Sequence, residues 1–345
     1  GLVGVEDGTQ PRVAALSFPN RQVRLKAALA LGRAMPKNGF QGDHQIVPVL
    51  SEALMQSGRL AALVADGDSQ SANKLQALLR AAGYDVAVGP SLFEALQSGE
   101  KAGLATFDVA ILASDLKSPD AEAAVRELRK NFETAATPIL VVTKAGELNN
   151  AQRAVRAGDG VEVLLADVLD LGDPVKISEQ VNLRIARAAA ALGMNPLGAD
   201  LSLSLALQAA DVLRLVGENN LQVFDFSKSL PALLKAITSK SEALRMRAAH
   251  VLALAGQSEA QTALAKSGLA IDHSQNERVA AFAALAESAR RNGNLLGDND
   301  LVGKLIEFAM NESDLVLRTA ASQSLGALDL ASNKASEIIR KQYRG

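Results

Sequence analysis

Apolar residues recur with the period of a helix near both ends of the chain. One pattern occurs four times: an Arg is followed by Ala three residues later and by Leu seven residues later. These offsets fall on one face of a helix, so each copy predicts an amphipathic helix. Four residues before each Arg stands a residue type that caps helix N-termini. The caps and arginines are Asn20 with Arg24, Ser241 with Arg245, Ser274 with Arg278, and Asp314 with Arg318.

The last three copies are spaced like the units of a helical repeat. Their arginines stand 33 and 40 residues apart, which is the length of a two-helix solenoid unit. Residues 19–32 and 312–328 resemble HEAT repeats, an armadillo-like family in which an Arg follows the interhelical turn and small residues pack the second helix. The resemblance implies an α-solenoid of HEAT-like helix pairs over residues 1–58 and 193–345. Four unrelated amphipathic helices remain the alternative.

The hydrophobic pattern changes between the first and second copies. Apolar runs of strand length alternate with helical segments there, and the longest runs fit parallel strands that are covered on both faces. Five strand–helix units of this length predict an α/β domain over residues 59–192 with a doubly wound parallel sheet. The predicted strands are 60–65, 85–88, 107–113, 138–142 and 161–165, and helices are predicted at 71–82, 121–131, 149–157 and 177–192.

Residues 59–192 resemble a response-regulator receiver domain. The resemblance rests on residues 62–96, which carry an acidic strand end, an AAGY turn and an S-x-x-E-A-L helix start, and on residues 107–116 and 137–143. It implies a five-stranded parallel flavodoxin-like sheet inserted between the helical parts. The family holds Mg²⁺ with two acidic residues after strand one. An Asp ending strand three accepts a phosphoryl group there, a Thr or Ser on strand four senses it, and a Lys on strand five pairs with it.

Carrying these roles over position by position indicates a degenerate receiver, or pseudo-receiver. Asp66 and Thr143 match the first acidic place and the switch hydroxyl, whereas Asp68 only partly substitutes for Gly67 at the second acidic place. The phosphoacceptor place falls on Ala113, which has no nucleophile, and the Lys place falls near Ala166, which has no charge. We therefore expect no catalytic, cofactor-binding or metal-binding residues, and we expect acetyl phosphate with Mg²⁺ to leave the chain unmodified.

Two weaker interpretations of the same residues stay open. Asp115 is an alternative phosphoacceptor, although it stands two residues past Ala113 and is expected to project beyond the cradle. Asp66, Asp68 and Asp115, together with Thr143, are candidates for a vestigial pocket that binds Mg²⁺ weakly. Thr143 is alternatively a hydroxyl that caps the following turn.

Other charged and ligand-type residues predict no separate site. The helix at 121–131 carries Arg126, Arg129 and Lys130 interleaved with Glu122 and Glu127, a mixture expected on a solvated face. The three His residues lack metal-ligand spacing, and no nucleophile elbow or P-loop is present. We therefore expect no enzymatic activity.

Composition narrows the class of partner. The 345 residues are 48% hydrophobic and 21% charged, with a net charge of −2, which argues against a nucleic-acid binder that relies on a basic field. No apolar run reaches the length of a membrane span. Absence of Cys fits both the cytoplasm and the periplasm, so the compartment stays unassigned. Because the chain begins with Gly and not Met, we expect a mature or excised piece with no visible signal peptide.

These features together predict a non-enzymatic scaffold for protein–protein interactions, in bacterial signalling. Partners would bind the solenoid surface or the faces of the receiver-like module, and a homodimer is a further expectation. The alternatives are a ligand- or metal-sensing module that uses the vestigial pocket, and an atypical phosphoacceptor at Asp115.

Overall fold

The structure, a computed structural model, describes residues 11–18, 20–55, 60–104, 106–131, 134–193, 199–297 and 299–329. The parts of the predicted helical segments at 1–10 and 330–345 lie outside them. The chain forms two compact units. An α/β unit contains residues 1–27 and 55–203, and a helical unit contains residues 28–54 and 204–345. No helix among the described residues has the length and apolar content needed to cross a membrane.

The described secondary structure comprises five strands, fifteen α-helices and short 3₁₀ turns. The strands are β1 Ala61–Ala65, β2 Asp85–Gly89, β3 Val109–Ala113, β4 Ile139–Thr143 and β5 Val161–Leu165. The helices are α1 Pro11–Ala14, α2 Arg21–Arg33, α3 Ile46–Leu54, α4 Ser69–Ala81, α5 Leu92–Lys101, α6 Ala121–Lys130, α7 Leu148–Arg156, α8 Pro174–Ala191, α9 Ala199–Glu218, α10 Leu230–Ala236, α11 Glu242–Leu252, α12 Ser258–Leu269, α13 Gln275–Asn292, α14 Asn299–Asn311 and α15 Leu315–Ala327.

The α/β unit is built on one parallel sheet with the strand order β2-β1-β3-β4-β5. This is the flavodoxin-like doubly wound order, so the predicted sheet is confirmed. Every residue of β1, β3 and β4 is buried, because helices cover both faces of these inner strands. Their continuous apolar runs follow from that position.

Alternate strand residues belong to two separate cores. Leu63, Leu112 and Val141 pack with residues of α5, α6 and α7 on one face. Val64 and Ile111, on the other face, pack with residues of α4 and α8. Three helices therefore cover one face of the sheet and two cover the other. A doubly wound sheet has helices on both faces in this way.

The third strand begins two residues later than predicted. The Phe107 carbonyl accepts hydrogen bonds from the side chains of Arg21, at 3.3 Å, and Thr137, at 3.2 Å. Side chains thus satisfy the carbonyl that precedes the strand, and β3 itself starts at Val109. Arg21 also lies 3.5 Å from the Asp108 carboxylate, so the start of α2 is held at the amino-terminal end of the sheet.

The helical unit contains three consecutive helix hairpins. Helix α10 packs on α11, α12 on α13, and α14 on α15. Helices α10, α12 and α14 also contact one another in succession, and so do α11, α13 and α15. The hairpins therefore stack side by side in two layers.

All four copies of the Arg–Ala–Leu pattern form a helix with a capped start and a buried apolar stripe. Each predicted cap accepts backbone hydrogen bonds at its helix start, and Ser274 forms a full capping box with Glu277. Every Ala and Leu of the pattern is buried, namely Ala27, Leu31, Ala248, Leu252, Ala281, Leu285, Ala321 and Leu325. The predicted caps and apolar stripes are confirmed.

Three of the repeat arginines reach back to the segment before their own helix. Arg24 donates to the Phe18 carbonyl at 3.0 Å and Arg245 to the Ser239 carbonyl at 2.6 Å, in both cases six residues earlier. Arg278 donates to the carbonyl of Gly268 at 3.0 Å. Guanidinium donors thus satisfy carbonyls at the preceding turn or helix end, where helical partners are missing.

Candidate functional site

A cavity opens at the carboxyl ends of the inner strands of the α/β unit. The chain leaves β1 toward one face of the sheet and β3 toward the other, which makes a crevice of the kind in which open α/β sheets bind ligands. The cavity encloses about 300 Å³, including its open mouth. Its lining consists of Asp66, Asp68, Ser71, Ala113, Ser114, Asp115, Val142, Thr143, Lys144, Glu147 and Ala166. All four candidate pocket residues, and the places of the expected nucleophile and Lys, therefore meet in one site.

Asp66 is the most buried carboxylate of the cavity, with 5% of its surface exposed. Its carboxylate accepts hydrogen bonds from the Asp68 amide, at 2.8 Å, and from the Ser71 hydroxyl. Burial raises the pKa of Asp66 above its usual value, the two hydrogen bonds oppose this rise, and the negative charges of Asp115 and Asp68 add to it. The group therefore holds a proton more readily than an exposed Asp.

Asp68 is the N-cap residue of α4. Its side chain accepts a hydrogen bond of 2.9 Å from the Gln70 amide and caps α4. A carboxylate at a helix start is stabilised by the unpaired amides there. Asp68 lines the cavity while one of its oxygens is bound to the backbone.

Ala113 ends β3 and leaves 6% of its surface exposed. It presents a methyl group to the cavity, and the next residue, Ser114, presents a hydroxyl that donates to Glu147 Oε2 at 2.9 Å. Asp115 lies on the cavity lining. It stands in an exposed turn directly after β3, where the Leu116 amide bonds back to the Ala113 carbonyl at 3.4 Å.

The hydroxyl of Thr143 forms a hydrogen bond with the backbone of the next residue. Thr143 is buried at the end of β4, and its hydroxyl donates to the Lys144 carbonyl at 3.1 Å. This bond does not cap the 3₁₀ turn that follows, which begins after Lys144 without a side-chain cap. Lys144 itself is exposed and lines the cavity.

Four polar lining residues were not predicted from the sequence. They are Ser71, Ser114, Lys144 and Glu147. As expected, the end of β5 supplies Ala166 and no Lys, and the ammonium group of the lining comes instead from Lys144, directly after Thr143. Glu147 stands in a 3₁₀ turn after β4, and its bond to Ser114 spans 33 residues, so local sequence carries no signal for it.

The charge of the lining decides which ions it favours. Four carboxylates, of Asp66, Asp68, Asp115 and Glu147, face one ammonium group, of Lys144. Such a lining attracts cations and repels a phosphoryl anion. Among the described residues, however, no three His, Asp or Glu side chains are grouped so that they could hold a metal ion.

Comparison with known proteins finds similarity to solved structures only. No family model and no curated protein matches the chain. A solved structure assigned as a response regulator of Chloroflexus aurantiacus J-10-fl is 27% identical, with a TM-score of 0.31, over 37% of this chain and 99% of its own. A response regulator receiver domain protein of Clostridium thermocellum is 23% identical, with a TM-score of 0.30, over 37% and 95%. An engineered protein is 17% identical, with a TM-score of 0.29, over 96% and 80%.

Proposed function

We propose that this protein is a non-enzymatic scaffold for protein–protein interactions in bacterial signalling, and that its receiver-like unit does not accept a phosphoryl group. The observation that carries the proposal is Ala113 at the end of β3, facing the cavity with a methyl group. Phosphoryl transfer requires an attacking oxygen in line with the leaving group. A methyl group supplies none.

The surrounding charges support the same conclusion. A phosphoryl donor entering the cavity would approach four carboxylates and a single Lys144 ammonium. Catalysis of phosphoryl transfer depends on cationic groups that offset the negative charge of the transferring group. Asp115, the remaining candidate acceptor, lies in the exposed turn after the strand end.

Without that chemistry, the two units act through their surfaces. The stacked hairpins of the helical unit and the HEAT resemblance support a role in partner binding, since helical repeats present extended surfaces. The faces of the α/β unit are a second proposed binding surface. We also propose that two copies of the chain form a homodimer through these faces.

Intact-mass measurement after incubation with acetyl phosphate and Mg²⁺ tests the lost acceptor. The expected result is an unchanged mass for the wild type and for Asp115→Asn. Gain of one phosphoryl group that Asp115→Asn abolishes would contradict the proposal and assign Asp115 as acceptor. The scaffold role is tested separately by affinity capture from a lysate of the source cells, in which an empty capture would count against it.

A second candidate function is a sensor of small ligands or metal ions. The solvent-open cavity that unites Asp66, Asp68, Asp115 and Thr143 is the observation that favours it. Thermal-shift measurements with MgCl₂, inorganic phosphate and nucleotides distinguish the two candidates. A reproducible rise in Tm that Asp66→Asn removes would favour the sensor, and no change with any of these ligands favours the scaffold.

A further inference from the structure

Three turns of the helical unit are connected to one another by side-chain hydrogen bonds. The turns join α10 to α11, α12 to α13 and α14 to α15, and we call residues 237–242, 270–275 and 312–316 the turn edge. The Ser274 hydroxyl donates to Glu242 Oε1 at 2.9 Å and so connects the first two turns. The Gln275 side-chain amide donates to the Asp314 carboxylate and connects the last two. Neighbouring turns are therefore held in contact through side chains.

The turn edge exposes large apolar side chains. Ile271 has 91% of its surface exposed, Leu315 has 64% and Val316 has 55%. Single exposed apolar residues are ordinary on protein surfaces. Here the three belong to adjacent turns that are bonded to each other, and apolar side chains grouped in this way are typical of interaction sites.

The turn edge also carries net negative charge. Three helix C-termini, of α10, α12 and α14, and three helix N-termini, of α11, α13 and α15, meet there, so the opposite helix dipoles offset one another. Side chains then decide the sign of the field. Within the three segments the charged side chains are one ammonium, of Lys240, and four carboxylates, of Glu242, Asp272, Glu312 and Asp314. The Arg245 guanidinium also reaches the first turn but is paired with Glu277, and Arg278 offsets part of the charge of Asp314. An excess of negative charge remains.

We propose that the turn edge is a docking site for a segment of a partner protein that carries aliphatic or aromatic side chains flanked by Lys or Arg. The apolar side chains of such a segment would cover Ile271, Leu315 and Val316. Its cations would be attracted by the surrounding carboxylates, which favours oppositely charged partners and speeds association. The inference rests on the proposed scaffold function and gives it a site and a partner chemistry.

Selection of random peptides displayed on phage, with the full chain as bait, tests the inference. The expected result is enrichment of peptides that combine Lys or Arg with large apolar residues. Their affinity should fall about tenfold or more on the combined change Ile271→Ser, Leu315→Ser and Val316→Ser, since exposed anchors that become buried dominate such contacts. It should also weaken at high salt. Val175→Ser, at a residue 66% exposed in the α/β unit, is the matched control and should bind normally.

A second variant tests the charge independently of the apolar contact. Asp272→Asn should slow association of the same peptides and leave the urea midpoint unchanged, because Asp272 is exposed. Selected peptides without basic residues, or peptides that bind the triple-serine variant as tightly as the wild type, would overturn the inference. Self-association in sedimentation that the triple-serine variant abolishes would also overturn it, by making a second copy the occupant. None of these outcomes removes the scaffold proposal, which fails on an empty lysate capture.

Discussion

Arg245 and Glu277 form an ion pair that joins α11 to α13: Arg245 Nε lies 2.5 Å from Glu277 Oε1. Both side chains are largely covered, with 16% and 4% of their surfaces exposed. The second oxygen of Glu277 accepts a bond of 2.9 Å from the Ser274 amide. One carboxylate thus caps its own helix and binds the repeat Arg of the preceding hairpin, 32 residues earlier.

Glu277→Gln should lower the free energy of unfolding by about 1–3 kcal/mol, because it removes a charge-assisted hydrogen bond from a buried pair while its amide oxygen can still cap the helix. The hydrogen bond from Arg245 holds the pKa of Glu277 below its usual value, against the opposing effect of burial. A lowered folded-state pKa contributes stability above the unfolded-state pKa, and that contribution is lost as the pH falls through the folded-state pKa. Urea unfolding should therefore show the difference at neutral pH and a smaller one in acid.

Glu287→Gln is the control for this change. Glu287 pairs with Arg291 at 3.2 Å on the exposed side of the same helix, and a surface pair of this kind contributes less than about 0.5 kcal/mol. Equal losses for the two variants, or a Glu277→Gln loss that stays constant down to acid pH, would show that the pair is not stabilising as described.

Ala113→Asp tests the electrostatics of the cavity. A carboxylate at this place would join those of Asp66, Asp68 and Asp115, and like charges in a partly buried site disfavour the charged form. We expect Ala113→Asp to melt on the order of 2–4 °C below Ala113→Asn, which has nearly the same size without the charge. Millimolar MgCl₂ should narrow this gap, since a divalent cation offsets the added charge. Equal Tm values for the two variants without Mg²⁺ would contradict the charge assignment of the lining.

Asp66→Asn should stabilise the protein at neutral pH. Burial raises the pKa of Asp66, so its ionised form is less favourable in the folded than in the unfolded state. The destabilisation develops as the pH rises through the unfolded-state and folded-state pKa values, and it is absent when both states are protonated. The neutral Asn should therefore raise Tm by on the order of 2 °C at neutral pH and have little effect in acid.

Asp68→Asn is the matched control for this prediction. It removes a charge from the same cavity, but from an exposed side chain whose cap Asn supplies equally well. Its Tm should change less than that of Asp66→Asn. If the two variants behaved alike, desolvation would not be the cause of the raised pKa.

Much of the fold was predictable because its determinants are local. Continuous apolar runs mark the inner strands β1, β3 and β4, and the cap residues Ser241, Ser274 and Asp314 mark helix starts. The place of Ala113 at a strand end follows from counting along β3. Each of these features depends on neighbours within one turn or one strand.

The parts that escaped prediction depend on contacts distant in the sequence. The Ser114–Glu147 bond and the bond from Thr137 to the carbonyl before β3 both join residues 30 or more positions apart. The carbonyl contacts of Arg129 were not predicted either, because its spacing on α6 matches that of its solvated neighbours.

Arg129→Lys should destabilise the α/β unit by about 2–3 kcal/mol. Arg129 is half-buried, and its guanidinium donates at 2.9 Å to the Thr137 carbonyl and at 2.7 and 3.2 Å to the Asp159 carbonyl, in the turns before β4 and β5. Burial lowers the pKa of Arg129 to about 10, partly offset by Asp159, so the group stays charged at neutral pH. A Lys ammonium cannot reproduce this fork, and carbonyls would be left unpaired. Arg126→Lys is the control, since Arg126 is exposed and pairs with Glu122 one turn away, and it should change the urea midpoint little. Equal midpoints for the two variants would show that the carbonyl contacts of Arg129 do not stabilise the unit.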